Sequence, residues 1–297
     1  KRHIRGGNKM DIRLMRYFLA IAQEGNLTKA ANRLHISQPS LSKQMKELEE
    51  ELGRTLFMRG NRNITLTDDG MYFRKRAQEI VDLTDKLLVD LDMEDMDVAG
   101  DIHIGCAETT EMDCLAAIMK EMKEEYPQVM FHIHSGNAVD IQERIEKGLY
   151  DVGLFVGAPR STRLEMYPLH ESIEWGVVMR KDDLLACRPY ITKEDLKGKP
   201  LIVSEQALIN GELGEWVENK EQVCATYNLF FNAGFMVSRG MGYALTIEGI
   251  YGAHENLVFV PLEPSFRLPL FLGWKKYQAF SKASLKFIEL VKRCHEN

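Results

Sequence analysis

The sequence predicts an α/β protein in two parts: a short, mainly helical head and a larger body of alternating strands and helices in two lobes. Charge distribution is the first observation behind this. Residues 10–66 hold nine Lys/Arg against six Asp/Glu, while residues 67–297 hold 25 against 38, so the net charge of −6 conceals a basic head on an acidic body. The second is residues 25–70, which read as two short helices, a tight turn and a basic hairpin. The third is strand and helix patterns alternating twice over after residue 99, with connections short enough for βαβ units. At 297 residues the chain is long enough to bury two cores.

Residues 1–9 precede Met10 and read as an expression remnant outside the folded protein. The stretch from Met10 to Ala22 superficially resembles a signal peptide. Arg16 interrupts it, leaving six apolar residues from Tyr17, too few for an export segment. Leu14, Phe18 and Ile21 instead share a helical face, and no run is long enough to span a membrane. A cytoplasmic location follows. Residues 28–34 read as a second helix, with Thr28 at its N-cap and Ala30, Ala31 and Leu34 packed inward.

The third helix opens at Gln38-Pro39-Ser40 and closes at Gly53; proline is tolerated in a first turn, where its missing donor would be unpaired anyway. Leu41, Met45, Leu48 and Leu52 form its apolar stripe, and Pro39, Lys43 and Lys46 lie opposite, with Ser42 beside them. There is no carboxylate from Gly25 through Lys46; then Glu47, Glu49, Glu50 and Glu51 arrive together. A helix whose N-terminal turns enter a major groove would carry charge in this way. Leu56-Phe57 and Ile64-Thr65-Leu66 flank a tip of Arg59-Gly60-Asn61-Arg62-Asn63, the pattern of a hairpin whose arginines could reach a narrow minor groove.

From 68 to about 93 the only glycine is Gly70 and there is no proline. Phe73, Ala77, Ile80, Thr84, Leu87 and Leu91 recur as a heptad seam, which predicts a long helix pairing with its twin; packing on its own domain is the alternative. Residues 94–100 break the pattern and hold the domain boundary. Beyond it we expect strands at 102–105, 129–134 and 150–156 with helices at 114–126 and 139–147. A strand near 173–179 leads to strands at 201–204 and 223–227 with helices at 212–220 and 229–237. A strand at 268–274 and a helix at 279–294 close the chain.

The run AANRLHISQPSLSKQMKELEEELGRTLFMRGNRNITLTDDG resembles the N-terminal domain of LysR-type transcriptional regulators across roughly forty residues in register, with lysine at position 43 where arginine is commoner. DIHIG, YPQVMFHIHSG, IEKGLYDVGL, VSRGMGYAL and LGWKKYQAFSKASLKFIEL resemble that family's effector-binding domain, itself similar to periplasmic solute-binding proteins with a cleft between lobes. The resemblance implies a winged helix-turn-helix at 10–67, a dimerising linker helix at 68–94 and a two-lobed effector domain at 99–297. Lobe I would span about 101–170 and 270–297, and lobe II about 171–268. It implies DNA contacts by Thr28, Gln38, Pro39, Ser40, Ser42, Lys43, Lys46, Arg59 and Arg62. Its partners would be an interrupted palindromic operator in double-stranded DNA, a small-molecule effector, and further copies of the chain as dimer and tetramer.

Open α/β sheets bind ligands beyond the carboxyl ends of their strands. Here those ends carry Thr109, Thr110, Ser135, Asn137 and Val156 in one lobe and Ser204, Gln206 and Thr226 in the other. By resemblance these loops contact the effector, which makes a small organic anion the default, and Thr109 and Thr110 stand just before a helix where hydroxyls and free N–H groups can hold an anion. Glu108, Glu111 and Glu205 in the same loops keep a cationic or neutral polar effector open.

His132 and His134 share a strand face without a third ligand at metal spacing, so they read as ordinary strand histidines and no metal or cofactor is expected. Cysteines 106, 114, 187, 224 and 294 form no C-x-x-C pair and read as free thiols without an activating pattern. No G-x-S-x-G, H-E-x-x-H or G-x-x-x-x-G-K motif suggests an enzyme. A solute-binding protein would explain only the body and would need an export signal. An architectural DNA-binding protein would explain only the head and would carry more positive charge.

Overall fold

The first helix starts where Asp11 Oδ1 accepts from Leu14 N at 2.9 Å, so one otherwise unpaired first-turn donor is satisfied. It is the first element of a computed structural model that describes residues 11–59, 64–92, 98–159, 161–250 and 254–295, without the side chains of residues 59, 86 and 89–92. Residues 1–10, the wing tip with Arg62 and much of the expected boundary at 94–100 lie outside the described residues. Contacts divide the chain into two units, Lys1–Asp92 and Met93–Asn297.

In the first unit, α1 (Ile12–Glu24) ends at Gly25, whose φ of 60° is the left-handed region glycine tolerates. Helix α2 (Leu27–Arg33) is capped by Asn26, which accepts from Lys29 N; Thr28, the expected cap, therefore lies inside the helix, two residues past the actual one. Helix α3 (Gln38–Leu52) has Ser37 as N-cap and Gly53 as left-handed C-cap. Strands β1 (Phe57–Arg59) and β2 (Ile64–Leu66) pair antiparallel, with Phe57 opposite Leu66. Phe18 is the centre of this core: its ring meets Phe57 at 4.9 Å and Phe73 edge-on at 4.8 Å, over Leu41, Met45 and Leu48.

Helix α4 (Asp68–Asp92) continues for 25 residues. Its seam does not behave as one stripe. Phe73 packs on Phe18, and Ala77 is buried with Met15 and Val81 against α1, so these two seam residues serve the helix's own unit. The row turns outward further on, where Ile80, Leu83, Leu87 and Leu88 are 42%, 45%, 55% and 54% exposed. The reason is geometric: contact with α1 takes positions 73, 77 and 81, and the row at 80, 83 and 87 lies on a different face. The side chain of Leu91 lies outside the described residues.

In the second unit, β3 (Gly100–Cys106), α5 (Met112–Glu125), β4 (Val129–Ser135), α6 (Ala138–Glu146) and β5 (Val152–Val156) form one βαβαβ lobe. Strand β3 is parallel to β4 on one side and to β5 on the other. The long β6 (Leu164–Arg180) then leaves this lobe and enters the next. Lobe II contains α7 (Lys193–Leu196), β7 (Leu201–Ser204), α8 (Glu205–Asn210), β8 (Val223–Tyr227), α9 (Phe230–Ser238), β9 (Tyr243–Ile247) and β10 (Leu257–Pro261). Strand β11 (Arg267–Lys275) returns antiparallel beside β6, and α10 (Lys282–His295) closes lobe I.

The strand order β4-β3-β5-β11-β6-β9-β7-β8, with β10 also on β6, makes β6 and β11 the shared spine. Their mutual register shifts between Pro269 and Phe271. Lobe I buries Ile102, Leu115, Leu154 and Phe287, whereas lobe II buries Val177, Leu201, Val203 and Leu245.

One expected helix is displaced. Residues 212–220 are not helical; α8 stands earlier, because Ser204 caps it through Ala207 N and Gly211, at φ 76°, ends it. Strands β9 and β10 are additional to the expected elements, and β6 extends well before residue 173.

Candidate nucleic-acid interface and ligand cleft

The N-terminal half of α3 offers its polar face to solvent. Gln38, Pro39, Ser40, Lys43 and Lys46 are exposed and Ser42 is half-buried. Gln44 Nε2 donates to Ser40 Oγ at 3.2 Å. Lys43 approaches Glu47 at 3.9 Å and Lys46 approaches Glu50 at 3.5 Å, surface pairs that hold an ammonium only weakly and leave it available to a phosphate. Thr28 is exposed on α2. Arg59 belongs to β1, with its side chain outside the described residues, as is all of Arg62.

The wing is attached by Glu49, one of the four acids that follow Lys46 on α3. Glu49 Oε1 accepts from Leu56 N at 2.6 Å and from Phe57 N at 3.1 Å, and Ile64 N donates to Gly25 O at 2.8 Å. The recognition helix and wing are thereby fixed to each other within one unit. Glu49→Gln keeps an acceptor but removes its charge, so we expect a loss of about 1 kcal/mol in head stability. A thermal melt of the 11–92 fragment checks this, and an unchanged midpoint would remove Glu49 from the anchor.

Lys43→Ala should weaken DNA binding in one of two recognisable ways. Loss of a phosphate contact lowers affinity for every sequence and reduces the salt slope by about one unit. Loss of a base contact costs roughly 1–3 kcal/mol at one base position. Salt-dependent binding assays on matched and single-substituted duplexes separate the two, and wild-type behaviour in both would place Lys43 outside the interface.

In the second unit the lobes face each other across a cleft crossed by two hydrogen bonds of the same kind. Phe230 N, in the first turn of α9 in lobe II, donates to Glu108 Oε2 of lobe I at 3.2 Å. Ala138 N, in the first turn of α6 in lobe I, donates to Gln206 Oε1 of lobe II at 2.7 Å. Each lobe thus caps a helix of the other. The α9 N-terminus has no side-chain cap from its own Leu229, so Glu108 supplies both acceptor and negative charge to the positive helix end.

A cavity of about 100 Å³ between these bridges is lined by Glu108, Asn137, Val156, Trp175, Ser204 and Gln206, among others, with Glu212 and Tyr227 at its sides. No lysine or arginine lines it among the described residues. Trp175 is 4% exposed and its buried Nε1–H has no partner there. Burial pushes the Tyr227 hydroxyl well above its ordinary range, and this O–H donates to Leu245 O at 2.8 Å, so the ring rather than a phenolate faces the cavity.

Thr109 and Ser135 line a second cavity of about 320 Å³, which meets the first at Ala107, Glu108 and Ile250. Thr110 and Thr226 are exposed and line neither. Thr110 lies against Gly249 of lobe II instead: a Cβ added there would stand 2.1 Å from Thr110 Cγ2, and φ is +83°, so glycine suits both space and backbone. Gln206 was expected in the cleft and Glu108 in its loops, but their bridging across the lobes and the place of Trp175 in the lining come only from the facing lobe.

The strand histidines gain neighbours too. The β3/β4 register sets His103 beside His132, rings stacked at 4.5 Å, and His134 stacks on Tyr150 at 4.7 Å. Asp101, His103 and His132 bring donor atoms within 4.8 Å of one another, a grouping that leaves out His134 of the expected pair. No helix among the described residues is long and apolar enough to cross a membrane.

A helix-turn-helix with a wing, followed by a two-lobed α/β unit with a ligand-sized cleft, is the architecture of a ligand-responsive transcriptional regulator. Residues 12–71 match the bacterial regulatory helix-turn-helix protein of the lysR family, and residues 97–294 match the LysR substrate binding domain. The chain belongs to the LysR family of transcriptional regulators, DNA-binding proteins and not enzymes.

Among its relatives, the Hca operon transcriptional activator HcaR of Escherichia coli is 30% identical over 95% of this chain and 97% of its own. The regulator BsdA of Bacillus subtilis is 33% identical over 65% of this chain and 67% of its own. The activator IlvY of Salmonella typhimurium is 29% identical over 80% and 83%. The crystal structure of the LysR family regulator CbnR has a TM-score of 0.75 at 19% identity, covering 97% of this chain and all of that one. At that identity the likeness is one of fold.

Proposed function

We propose that the protein is a cytoplasmic, self-associating regulator that binds an interrupted palindromic operator and responds to a small amine-bearing molecule held between its lobes. In this reading residues 10–67 contact DNA, 68–94 pair two chains, and 99–297 bind the effector. The lining of the cleft carries the proposal. It has two carboxylates, Glu108 and Glu212, a buried indole N–H without an acceptor, and no lysine or arginine among the described residues. Carboxylates welcome an ammonium, while the Trp175 N–H calls for an acceptor on the same molecule. This moves the effector away from the organic anion expected from the sequence, toward a small cationic or zwitterionic amine.

Response to such a ligand follows from the two bridging caps. A ligand can shift a conformational equilibrium only by its difference in affinity for the two states. A molecule that touches Glu108 and Gln206 together interacts with both bridges and so discriminates lobe closure from opening. A thermal-shift screen of small amines, zwitterions and matched carboxylic acids tests the reading, since a ligand that binds the native state raises the melting temperature. Amines or zwitterions should raise it and should alter a DNase footprint at discrete operator sites. Stabilisation by the carboxylic acids alone would overturn the charge assignment, and a footprint indifferent to every stabilising compound would overturn the coupling.

A further inference from the structure

Where α5 begins and α10 ends, four side chains from distant parts of the sequence meet: Glu111 and Cys114 from the first, Cys294 and His295 from the second. Donor atoms of Glu111, Cys114 and His295 lie within 4.8 Å of one another. His295 Nε2 is 3.1 Å from Glu111 Oε1 and 3.8 Å from Cys114 Sγ, and Cys114 Sγ is 3.6 Å from Cys294 Sγ. Glu111 and His295 are buried. We propose that these residues form a binding site for a thiophilic divalent ion of the zinc class.

The distances fit such an ion. Zinc–ligand bonds of about 2.3 Å to sulfur and about 2.0–2.2 Å to nitrogen or oxygen, set tetrahedrally, place two sulfurs about 3.8 Å apart. The same bonds place sulfur and nitrogen about 3.6 Å apart, and nitrogen and oxygen about 3.4 Å apart. The three observed separations depart from these by a few tenths of an ångström, which small side-chain rotations absorb. Cys294, exposed on the last turn of α10, stands beside Cys114 outside the group of three, and a turn of its side chain would bring its sulfur in as the fourth ligand. A sulfur, nitrogen and carboxylate donor set suits zinc rather than magnesium or calcium, which take oxygen.

Charge points the same way. Glu111 Oε1 is buried 3.1 Å from His295 Nε2 without a well-aligned hydrogen bond, and among the described residues only His295 and Cys114 stand near enough to share a proton with this carboxylate. A buried carboxylate oxygen without a well-aligned donor is incompletely satisfied and favours a cation. Burial raises the Glu111 carboxyl above its ordinary range against the opposing pull of His295 and Cys114, with a smaller upward push from Glu171. Burial, with help from Cys294, pushes the Cys114 thiol up to about 12. An ion bound here would displace the protons of its thiol ligands into solvent.

A simple thiol pair, poised for a disulfide, would need neither the histidine nor the glutamate. The other donor group, Asp101, His103 and His132, lies half-exposed on the sheet with two of its rings stacked, as strand histidines pack without an ion. Glu111 follows Thr109 and Thr110, and Thr109 lines the cavity that adjoins the cleft. An ion here would tie the start of α5 to the end of α10 beside the ligand-binding loops.

The test uses the full chain, stripped with a chelator and kept reduced, and titrated with Zn2+ and separately with Co2+. We expect one ion per chain, a rise in melting temperature, and in the Co2+ form the visible bands of tetrahedral coordination with a thiolate-to-cobalt charge-transfer band. Cys294→Ser, a near-isosteric change at an exposed position, should weaken Zn2+ binding at least tenfold, as even outer-shell losses do at metal sites. Cys114→Ser should remove or diminish the charge-transfer band; far-ultraviolet circular dichroism reports whether each variant is folded. The proposal is overturned if no saturable ion binds, or if bound Co2+ shows no thiolate band. It is equally overturned if folded Cys294→Ser keeps wild-type affinity. Formation of a Cys114–Cys294 disulfide on air exposure, read as a mass loss of two hydrogens and undiminished by Zn2+, would make this a redox pair instead.

Discussion

Leu87→Asp should turn the protein into a species that no longer pairs through α4 and no longer holds a two-half-site operator tightly. Leu87 lies in the outward row with Ile80, Leu83 and Leu88, each more than two-fifths exposed on a 25-residue helix. Burying that row against a twin helix removes apolar surface from water, and a carboxylate in its middle would be buried without a partner. Losing the second half-site contact removes an effective concentration in the millimolar range, so operator affinity should fall by about 10²–10⁴-fold while binding to one half-site persists. Ala77→Asp is the informative contrast, because Ala77 is buried with Met15 and Val81 in its own unit and its change should unfold the head. Sedimentation of the 11–92 fragment and of the full chain reads both effects. A Leu87→Asp fragment with wild-type dimer mass would move the pairing surface off this row; dimers or tetramers that survive only in the full chain would place a second association surface in the substrate-binding unit.

The head was legible almost residue by residue, since its signals are local. Caps, a first-turn proline, closing glycines and the Leu41-Met45-Leu48 stripe all act within a few residues of where they stand. The exceptions required the third dimension. Asn26 displaced Thr28 as a cap because its side chain reaches Lys29 N. Glu49, legible only as one of a run of acids, anchors the wing because Leu56 N and Phe57 N fold back onto it. The seam divided because α1 claimed one face of α4.

In the body, buried strands such as β5 and β7 were readable as short apolar runs, yet the helix expected at 212–220 was not there. Its apolar residues Leu213 and Trp216 are buried, but glycines at 211 and 214 interrupt the chain, and Ser204 starts the helix earlier. The cleft was legible only as a set of strand ends. Which of those residues face a cavity depends on how the spine of β6 and β11 aligns the lobes, so Asn137, Val156, Ser204 and Gln206 line the cavity between the bridges while Thr110 and Thr226 do not. The meeting of Glu111 and Cys114 with Cys294 and His295 spans about 180 positions, and no local pattern encodes it.

Glu108→Gln should lower the affinity of an amine effector by roughly ten- to 150-fold while leaving the DNA affinity of the ligand-free protein unchanged. The substitution is chosen because it separates charge from shape. Glutamine keeps an oxygen that accepts from Phe230 N, so the lobe bridge and the α9 cap survive, but the negative charge at the cavity wall is gone. A hydrogen bond to a charged group contributes about 1.5–3 kcal/mol, which converts to the stated range. The sign of the change identifies the ligand. For an ammonium the carboxylate is the partner, and affinity falls. For a carboxylate ligand Glu108 is a like charge competing for the positive end of α9, and its neutralisation should raise affinity. Calorimetry with the strongest stabiliser from the amine screen, run on the wild type and on Glu108→Gln, gives the answer directly. Gln206→Ala serves as the companion, since it breaks the other bridge, to Ala138 N, without altering charge and should shift the lobe equilibrium for ligands of either sign. An amine that binds Glu108→Gln as well as the wild type, with the variant folded, would remove Glu108 from ligand contact and leave it only the role of holding α9.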